Sequence, residues 1–262
     1  MKKNPVVWFY VLAFGITWLG MIPGALGSHG ISPFDNPNMQ LLMFFSSLGP
    51  ALAAVIMSQV AYGKTGVEDL LKGLIRWRVG LVWYLVALVS PLVLLITAQV
   101  ITKLMGFSVI SAGRQGDLFP SVIFAFVINF FLQYEEIGWR GFALPHLEKR
   151  YNALIATLIV GVLWGLWHLP LFFTVGQPLS AYPLISFIGL VAEAFMYTWL
   201  YNSTQGSILL VSLFHVATNM FAAVIPGVSL IASAMLSCAV AILLIAAFGS
   251  ANLSQQEKVY AG

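Results

Sequence analysis

One cysteine, nine acidic residues and twelve basic ones are all of those types that 262 residues contain. The lone Cys238 excludes an internal disulfide and any zinc site built on cysteine pairs. It lies in an apolar run, where a small packing role accounts for it. Charged residues make up 8% of the chain, against about 25% in a soluble domain. A net charge of +3, with no basic stretch interleaved with aromatics, leaves no footprint for nucleic acid. Two catalytic signatures are missing as well: there is no HExxH pair and no G-x-S-x-G turn. No clear internal repeat or low-complexity tract is present.

What the chain does have is apolar length. It is 60% hydrophobic, with a mean hydropathy of +0.92. A membrane-spanning helix needs about 20 mainly apolar residues. Eight stretches qualify, at 5–27, 39–62, 80–105, 118–138, 152–175, 183–201, 205–225 and 228–249. The expected fold is therefore all-α: a polytopic membrane protein, residues 1–262 forming one integral membrane domain of about eight helices. The first run follows Lys2 and Lys3, but it is longer than the apolar core of about 7–15 residues in a signal peptide.

Loop charge sets the expected orientation. With the N-terminus inside, ten of the twelve Lys and Arg residues fall inside and only Lys103 and Arg114 outside. Both termini are then expected in the cytoplasm, in a membrane of the bacterial plasma-membrane type. Residues 64–79 are not a span. Val67, Leu70, Leu71, Leu74 and Ile75 follow helical spacing with charges between them, which predicts an amphipathic helix on the membrane surface. An ordinary solvated connector is the plainer alternative. Asn202-Ser203-Thr204 matches a glycosylation sequon but falls in a short turn expected inside, and reads as turn chemistry.

The informative residues are the few polar ones within the apolar runs. Charges cost about 2.5–3.5 kcal/mol at the centre of a spanning helix on insertion scales, so they persist when paired or used. Glu135, Glu136 and Arg140 follow the apolar stretch that ends at Leu132. Glu136 and Arg140 are four apart, which puts them on one helical face in the favourable acid-before-base order. Glu135 is turned about 100° from Glu136 and is the carboxylate left to work, as a general base. The plain alternative is an ion-paired helix end, with Pro145 helping to stop the helix.

His168 lies one turn after Trp164, and Pro170 can free backbone groups near its imidazole. A hydrogen-bonded packing histidine is the alternative. His215 and Asn219 share a face and can both donate hydrogen bonds, so they can hold an oxyanion or simply join helices. Glu193 is a further intramembrane carboxylate with no spacing argument for its role. Glu135, His168 and His215 are possible zinc ligands, although histidines this far apart have no local ligand signature.

Taken together, Glu135-Glu136-x-x-x-Arg140, Trp164-x-x-x-His168 and His215-x-x-x-Asn219 occur in this order on successive helices. They resemble the three motifs of the CPBP family of intramembrane proteases, also called the type II CAAX prenyl endopeptidase or Abi family. The stretch TWLYNSTQGSILLVSLFHVATN is similar to that family's approach to its third motif. The resemblance covers about residues 118–222, the expected catalytic core. One departure is Trp164, where the family usually has Phe.

The resemblance implies an intramembrane endopeptidase. Glu135, with His168, would activate a water for attack on a peptide carbonyl. His215 and Asn219 would hold the oxyanion, with Glu136, Arg140 and Trp164 supporting the site. The family is described both as metalloproteases and as metal-free glutamate enzymes. It thus implies either a divalent metal such as zinc, on Glu135, His168 and His215, or no cofactor. The implied cavity opens toward the cytoplasmic side, and the partners are membrane lipids and a membrane-associated or lipidated peptide or protein. Two other readings use the same residues. A proton-coupled transporter or channel would employ Glu135, Glu136, Glu193 and the histidines as a relay. A non-catalytic scaffold of the bacteriocin-immunity type would need only the bundle.

Overall fold

Proline and glycine decide where the apolar runs start, bend and stop. A computed structural model describes residues 1–36, 38–109 and 134–257, without the side chains of Gln40, Leu41 and Phe44. All regular structure among these residues is helical. α1 (Pro5–Ser28) opens on a proline, whose fixed φ suits a first helical turn. The second expected span is split into α2 (Asn38–Ser46) and α3 (Gly49–Lys72). Pro50 has no N–H to continue a helix through this point, and it starts a new one instead.

Gly63 bends α3 with φ 71° and ψ −160°, a conformation open to glycine. Beyond the bend, helix runs to Lys72 and closes in one 3₁₀ turn, Gly73–Ile75. The expected surface helix at 64–79 is thus helical only to residue 75. It ends there because Arg76 is tied elsewhere: its guanidinium donates to the Gln205 carbonyl, and its own carbonyl accepts from Ser207 Oγ at 2.7 Å. The helix buries Leu70 and Gly73 and leaves the pairs Lys64–Glu68 and Lys72–Asp69 in the open.

α4 (Leu81–Met105) follows. The fourth expected span, 118–138, lies outside the described residues up to position 133, as do Arg114 and Lys258. The chain re-enters as a continuous helical segment, α5, made of Glu135–Gly138, a π-helical turn Trp139–Ala143, and Leu144–Glu148. Pro145 does not stop this helix. The π turn carries the Leu144 N–H to the Trp139 carbonyl, so Pro145, which has no N–H, falls in the first turn of the Leu144–Glu148 segment.

α6 (Ala153–Trp167) is capped by Asn152, whose side chain accepts from Ile155 N at 2.9 Å. It ends at His168, just before Pro170, and a short α7 (Leu169–Phe172) continues. α8 (Pro183–Ser203), α9 (Ile208–Val224) and α10 (Leu230–Phe248) complete the order, with Ser207 and Ser229 capping the last two. Among the described residues α1, α4, α8 and α10 are long and apolar enough to cross a membrane, and α6 and α9 are shorter apolar helices. The expected all-helical, multi-pass bundle is what forms.

α1 packs on α2 and α3, α5 on α3, α8 on α6 and α10, and α4 on α9 and α10. One end of the bundle gathers Arg76, the α8–α9 turn, the start of α6 and the end of α10. There Ala153 N and Leu154 N donate to Ala251 O and Ser250 O. Asn202, in the sequon, is 1% exposed and holds this end together, donating to Glu148 at 2.9 Å and to the Asn252 carbonyl at 2.8 Å. The opposite end joins α4 to α10 through Ser229 N and Thr102 Oγ1, at 3.0 Å.

Candidate active site

Where α3, α5, α6, α8 and α9 converge, the core stops being purely apolar. Trp139, Trp164 and Tyr197 are fully buried there, and so is Arg140. Helical spacing puts Arg140 one turn after Glu136. Its Nη1 donates to both carboxylate oxygens at 3.0 Å, and both side chains are 0% exposed. A third partner comes from far along the chain: His215 Nδ1 lies 2.8 Å from Glu136 Oε1. The guanidinium carbon of Arg140 stands 4.2 Å from the Tyr197 ring centre and 5.2 Å from that of Trp164. The pairing through Nη1 and the two ring faces carry this enclosed charge, while Arg140 Nε and Nη2 find no hydrogen-bond partner among the described residues.

Glu135 has a different environment. It is half-buried, and its Oε2 accepts from two indole N–H groups, Trp164 at 3.1 Å and Trp139 at 3.3 Å. Trp139 is one turn on from Glu135 in α5. Trp164 comes from α6, where Gly161 and Gly165 let α8 approach closely. A Cβ at Gly161 would lie 3.0 Å from Ala194 Cβ, and one at Gly165 2.8 Å from the Phe187 ring. His168 closes α6, with Nδ1 at 2.9 Å from the Trp164 carbonyl. A carbonyl only accepts, so Nδ1 carries a proton and Nε2 is left to face other groups. The His168 ring sits edge-on to Trp164 and Trp167, at 5.3 and 4.7 Å.

Glu135, His168, His215 and Asn219 all line one cavity of about 410 Å³, together with Trp164 and Glu193. Asn219 reaches it from one turn beyond His215 on α9. Glu136 and Arg140 stand behind this wall and do not line it. The lining continues through Ala98, Pro178, Leu179 and Leu230, toward the end of the bundle away from Ala153 and Ala251. Glu193 accepts from the Tyr197 hydroxyl at 3.4 Å, one turn away on α8.

Among the described residues, no three His, Cys, Asp or Glu side chains are grouped to hold a metal ion. Glu135 Oε2 takes two indole N–H groups, and the Nδ1 atoms of His215 and His168 are bonded to Glu136 and to the Trp164 carbonyl, which leaves Glu135 Oε1 and both Nε2 atoms outside these bonds.

Three contributors were not singled out by sequence reasoning in the roles they take. Trp139 and Tyr197 each stand four residues after a glutamate, a spacing that was there to be read. The indole of Trp164 meets Glu135 across 29 residues, and no local pattern carries that contact.

Comparison with known proteins bears on this site. Residues 115–221 match the family described as type II CAAX prenyl endopeptidase Rce1-like. The chain is also 26% identical, over 234 residues, to a protein of Methanococcus maripaludis named CAAX prenyl protease 2, with 84% of each chain covered. The family's description and the relative's name both point to a CAAX prenyl protease, the enzyme class that the three motifs suggest. The matched region spans all three motifs and every catalytic candidate in the cavity.

Proposed function

We propose that this chain, with its Rce1-like CAAX-endopeptidase domain, cleaves a peptide bond of a lipidated, membrane-associated substrate using a water activated by Glu135 and His168. The observation that carries the reading is the meeting of Glu135, His168, His215 and Asn219, from α5, α6 and α9, on one cavity inside an apolar bundle. Nothing in packing requires four such groups to share a wall.

The chemistry follows from the donors and acceptors available. Glu135 and the Nε2 atom of neutral His168 accept the protons of a water between them. As its oxygen attacks the carbonyl carbon, one proton passes to Glu135. The carbonyl becomes an oxyanion, held by the Asn219 amide and by His215. With its Nδ1–H given to Glu136, His215 donates to the oxyanion through Nε2 when that nitrogen is protonated. Collapse of the intermediate breaks the C–N bond, and the proton on Glu135 goes to the departing amine. The indoles of Trp139 and Trp164 fix the Glu135 carboxylate throughout, and Glu136 and Arg140 fix His215.

An apolar groove of about 540 Å³ between α4, α8 and α10 shares Leu94, Met196 and Phe214 with the cavity. Ser90 is one of very few polar side chains along it, and its hydroxyl is spent on the Val86 carbonyl at 2.6 Å. The M. maripaludis relative is named a prenyl protease, and an isoprenoid chain suits such a groove.

The test is cleavage of a prenylated peptide by the purified protein in liposomes. Glu135→Ala, His168→Ala and His215→Ala should each abolish cleavage, with the unfolding midpoint showing that the variants fold. Full activity in Glu135→Ala would overturn the assignment of the base.

A further inference from the structure

At the bundle end that holds Arg76 and Ala251, a cleft of about 320 Å³ lies between the start of α1 and the turn from α5 to α6. Among the described residues its lining includes three cations, Lys2, Lys149 and Arg150, and no carboxylate. All three are exposed, and no ion pair holds any of them among the described residues. Lys149 and Arg150 are presented by a tight turn in which Arg150 N and Tyr151 N both donate to the Leu147 carbonyl at 2.9 Å. Tyr62 and His146, hydrogen-bonded to each other at 2.9 Å, form part of the inner wall. No acidic residue among those described lines the cleft beside the three cations.

The other wall is apolar and leads into the membrane. Pro5, Val6 and Val7 line the cleft where α1 begins. From Val7 an exposed stripe runs down one face of α1 through Val11, Gly15, Leu19 and Ile22, with Val7 at 59% and Leu19 at 76% exposure. At 1.5 Å per residue the stripe is about 22 Å long, longer than one hydrocarbon leaflet of about 15 Å. Tyr151, half in the open at the mouth, is of the amphipathic type that settles at headgroup level.

We propose that this cleft is a binding site for an anionic glycerophospholipid. Its phosphate sits among Lys2, Lys149 and Arg150, and an acyl chain lies along Val7, Val11 and Leu19. A basic pocket between helix ends at the membrane surface is the setting in which anionic headgroups are retained. The apolar stripe that continues from it selects a lipid over a soluble phosphate. The site is separate from the catalytic cavity and shares no lining residue with it.

Native mass spectrometry of the full chain, released from bilayers of phosphatidylcholine with or without phosphatidylglycerol, tests this. Phosphatidylglycerol should be retained in preference. Arg150→Gln should weaken that retention about fivefold, the effect of one Lys or Arg near an anionic surface. The triple variant Lys2→Gln/Lys149→Gln/Arg150→Gln should remove the preference, whereas Arg150→Lys and the distant Lys103→Gln should keep it. Unchanged unfolding midpoints in pure phosphatidylcholine show that the variants are folded. Equal retention of the two lipids by the wild type would overturn the site, as would an intact preference in the triple variant. If glycerol phosphate alone raised the midpoint as much as phosphatidylglycerol does, the site would belong to a soluble phosphate and the lipid assignment would fail.

Discussion

Glu136 and His215, 79 residues apart, are joined by a 2.8 Å hydrogen bond in the buried interior, with the Glu136 side chain fully enclosed. That bond ties the first motif to the third and makes Glu136 the hub of a buried network, because the same carboxylate takes both bonds from Arg140. Removing one charge from such a network leaves its partner uncompensated, which typically costs about 3–5 kcal/mol. Glu136→Gln should therefore lower the unfolding midpoint in detergent sharply and abolish cleavage. In a double-mutant cycle with His215→Gln, the two losses should fall well short of adding. Simple additivity would show that the bond does not couple them.

The two indoles on Glu135 predict a graded effect. Trp164→Phe keeps an aromatic ring and deletes the N–H that bonds Glu135 at 3.1 Å. A hydrogen bond to a charged group is worth about 1.5–3 kcal/mol, so kcat should fall roughly ten- to a hundredfold, with the midpoint little changed. Trp139→Phe removes the longer bond and should cost less in kcat. Steady-state kinetics with a prenylated peptide reads both. Wild-type kcat in the double variant would show that the indoles do not hold the working carboxylate.

His146 predicts a pH dependence of stability. It is buried outside the spanning segments, with Nδ1–H donating to the Phe142 carbonyl at 2.6 Å and Nε2 accepting from the Tyr62 hydroxyl at 2.9 Å. Burial, with Lys149 adding to it, pushes its pKa down to about 4. An unfolded histidine titrates near 6.5. Above about pH 6.5 both states are neutral and stability is complete. As pH falls from 6.5 toward 4, the unfolded chain takes up a proton that the folded chain refuses, and stability drops by up to a few kcal/mol. The midpoint of the wild type should fall more between pH 7.5 and 5 than that of His146→Gln, and equal falls would refute the linkage.

Two glycines of α5 predict opposite tolerance. A Cβ at Gly138 would stand 2.6 Å from the Pro50 carbonyl oxygen and 2.7 Å from Pro50 Cβ, so the start of α3 would have to move. At Gly141 the nearest atom would be Ile208 Cδ1 at 2.6 Å, the end of a side chain that can swing away. Gly138→Ala should cost more than the 1–3 kcal/mol or so of ordinary overpacking and shift Glu135 and Glu136, abolishing activity. Gly141→Ala should fold and cleave. The yield of monodisperse protein and the cleavage rate measure the contrast.

Much of this architecture could be read in advance because it depends on neighbours along the chain. Apolar runs of about 20 residues can satisfy their backbone in a membrane only as helices or closed barrels, so the bundle and most helix ends were legible. The Glu136–Arg140 pair followed from a four-residue spacing on one helix. Where the expectation differs from the fold, a long-range contact or a backbone detail is responsible. Residues 76–79 leave the helix because Arg76 is claimed by Gln205 and Ser207, more than a hundred residues away. Pro145 stays within α5 because a π turn, which has no sequence signature of its own, absorbs its missing N–H.

Composition and periodicity alone were enough to establish a helical membrane protein with a handful of polar groups too costly to be idle. They could also place those groups on separate helices. They could not say which helices meet, because helix pairing is set by close approach at particular side chains and not by hydropathy. The packing of α5 against α6 and α9 brings Trp164 to Glu135, His215 to Glu136, and four polar side chains to one wall. It also determines that Glu136 is enclosed while Glu135 faces the cavity. Adjacent carboxylates, identical in chemistry, acquire different environments only when the helices around them are in place.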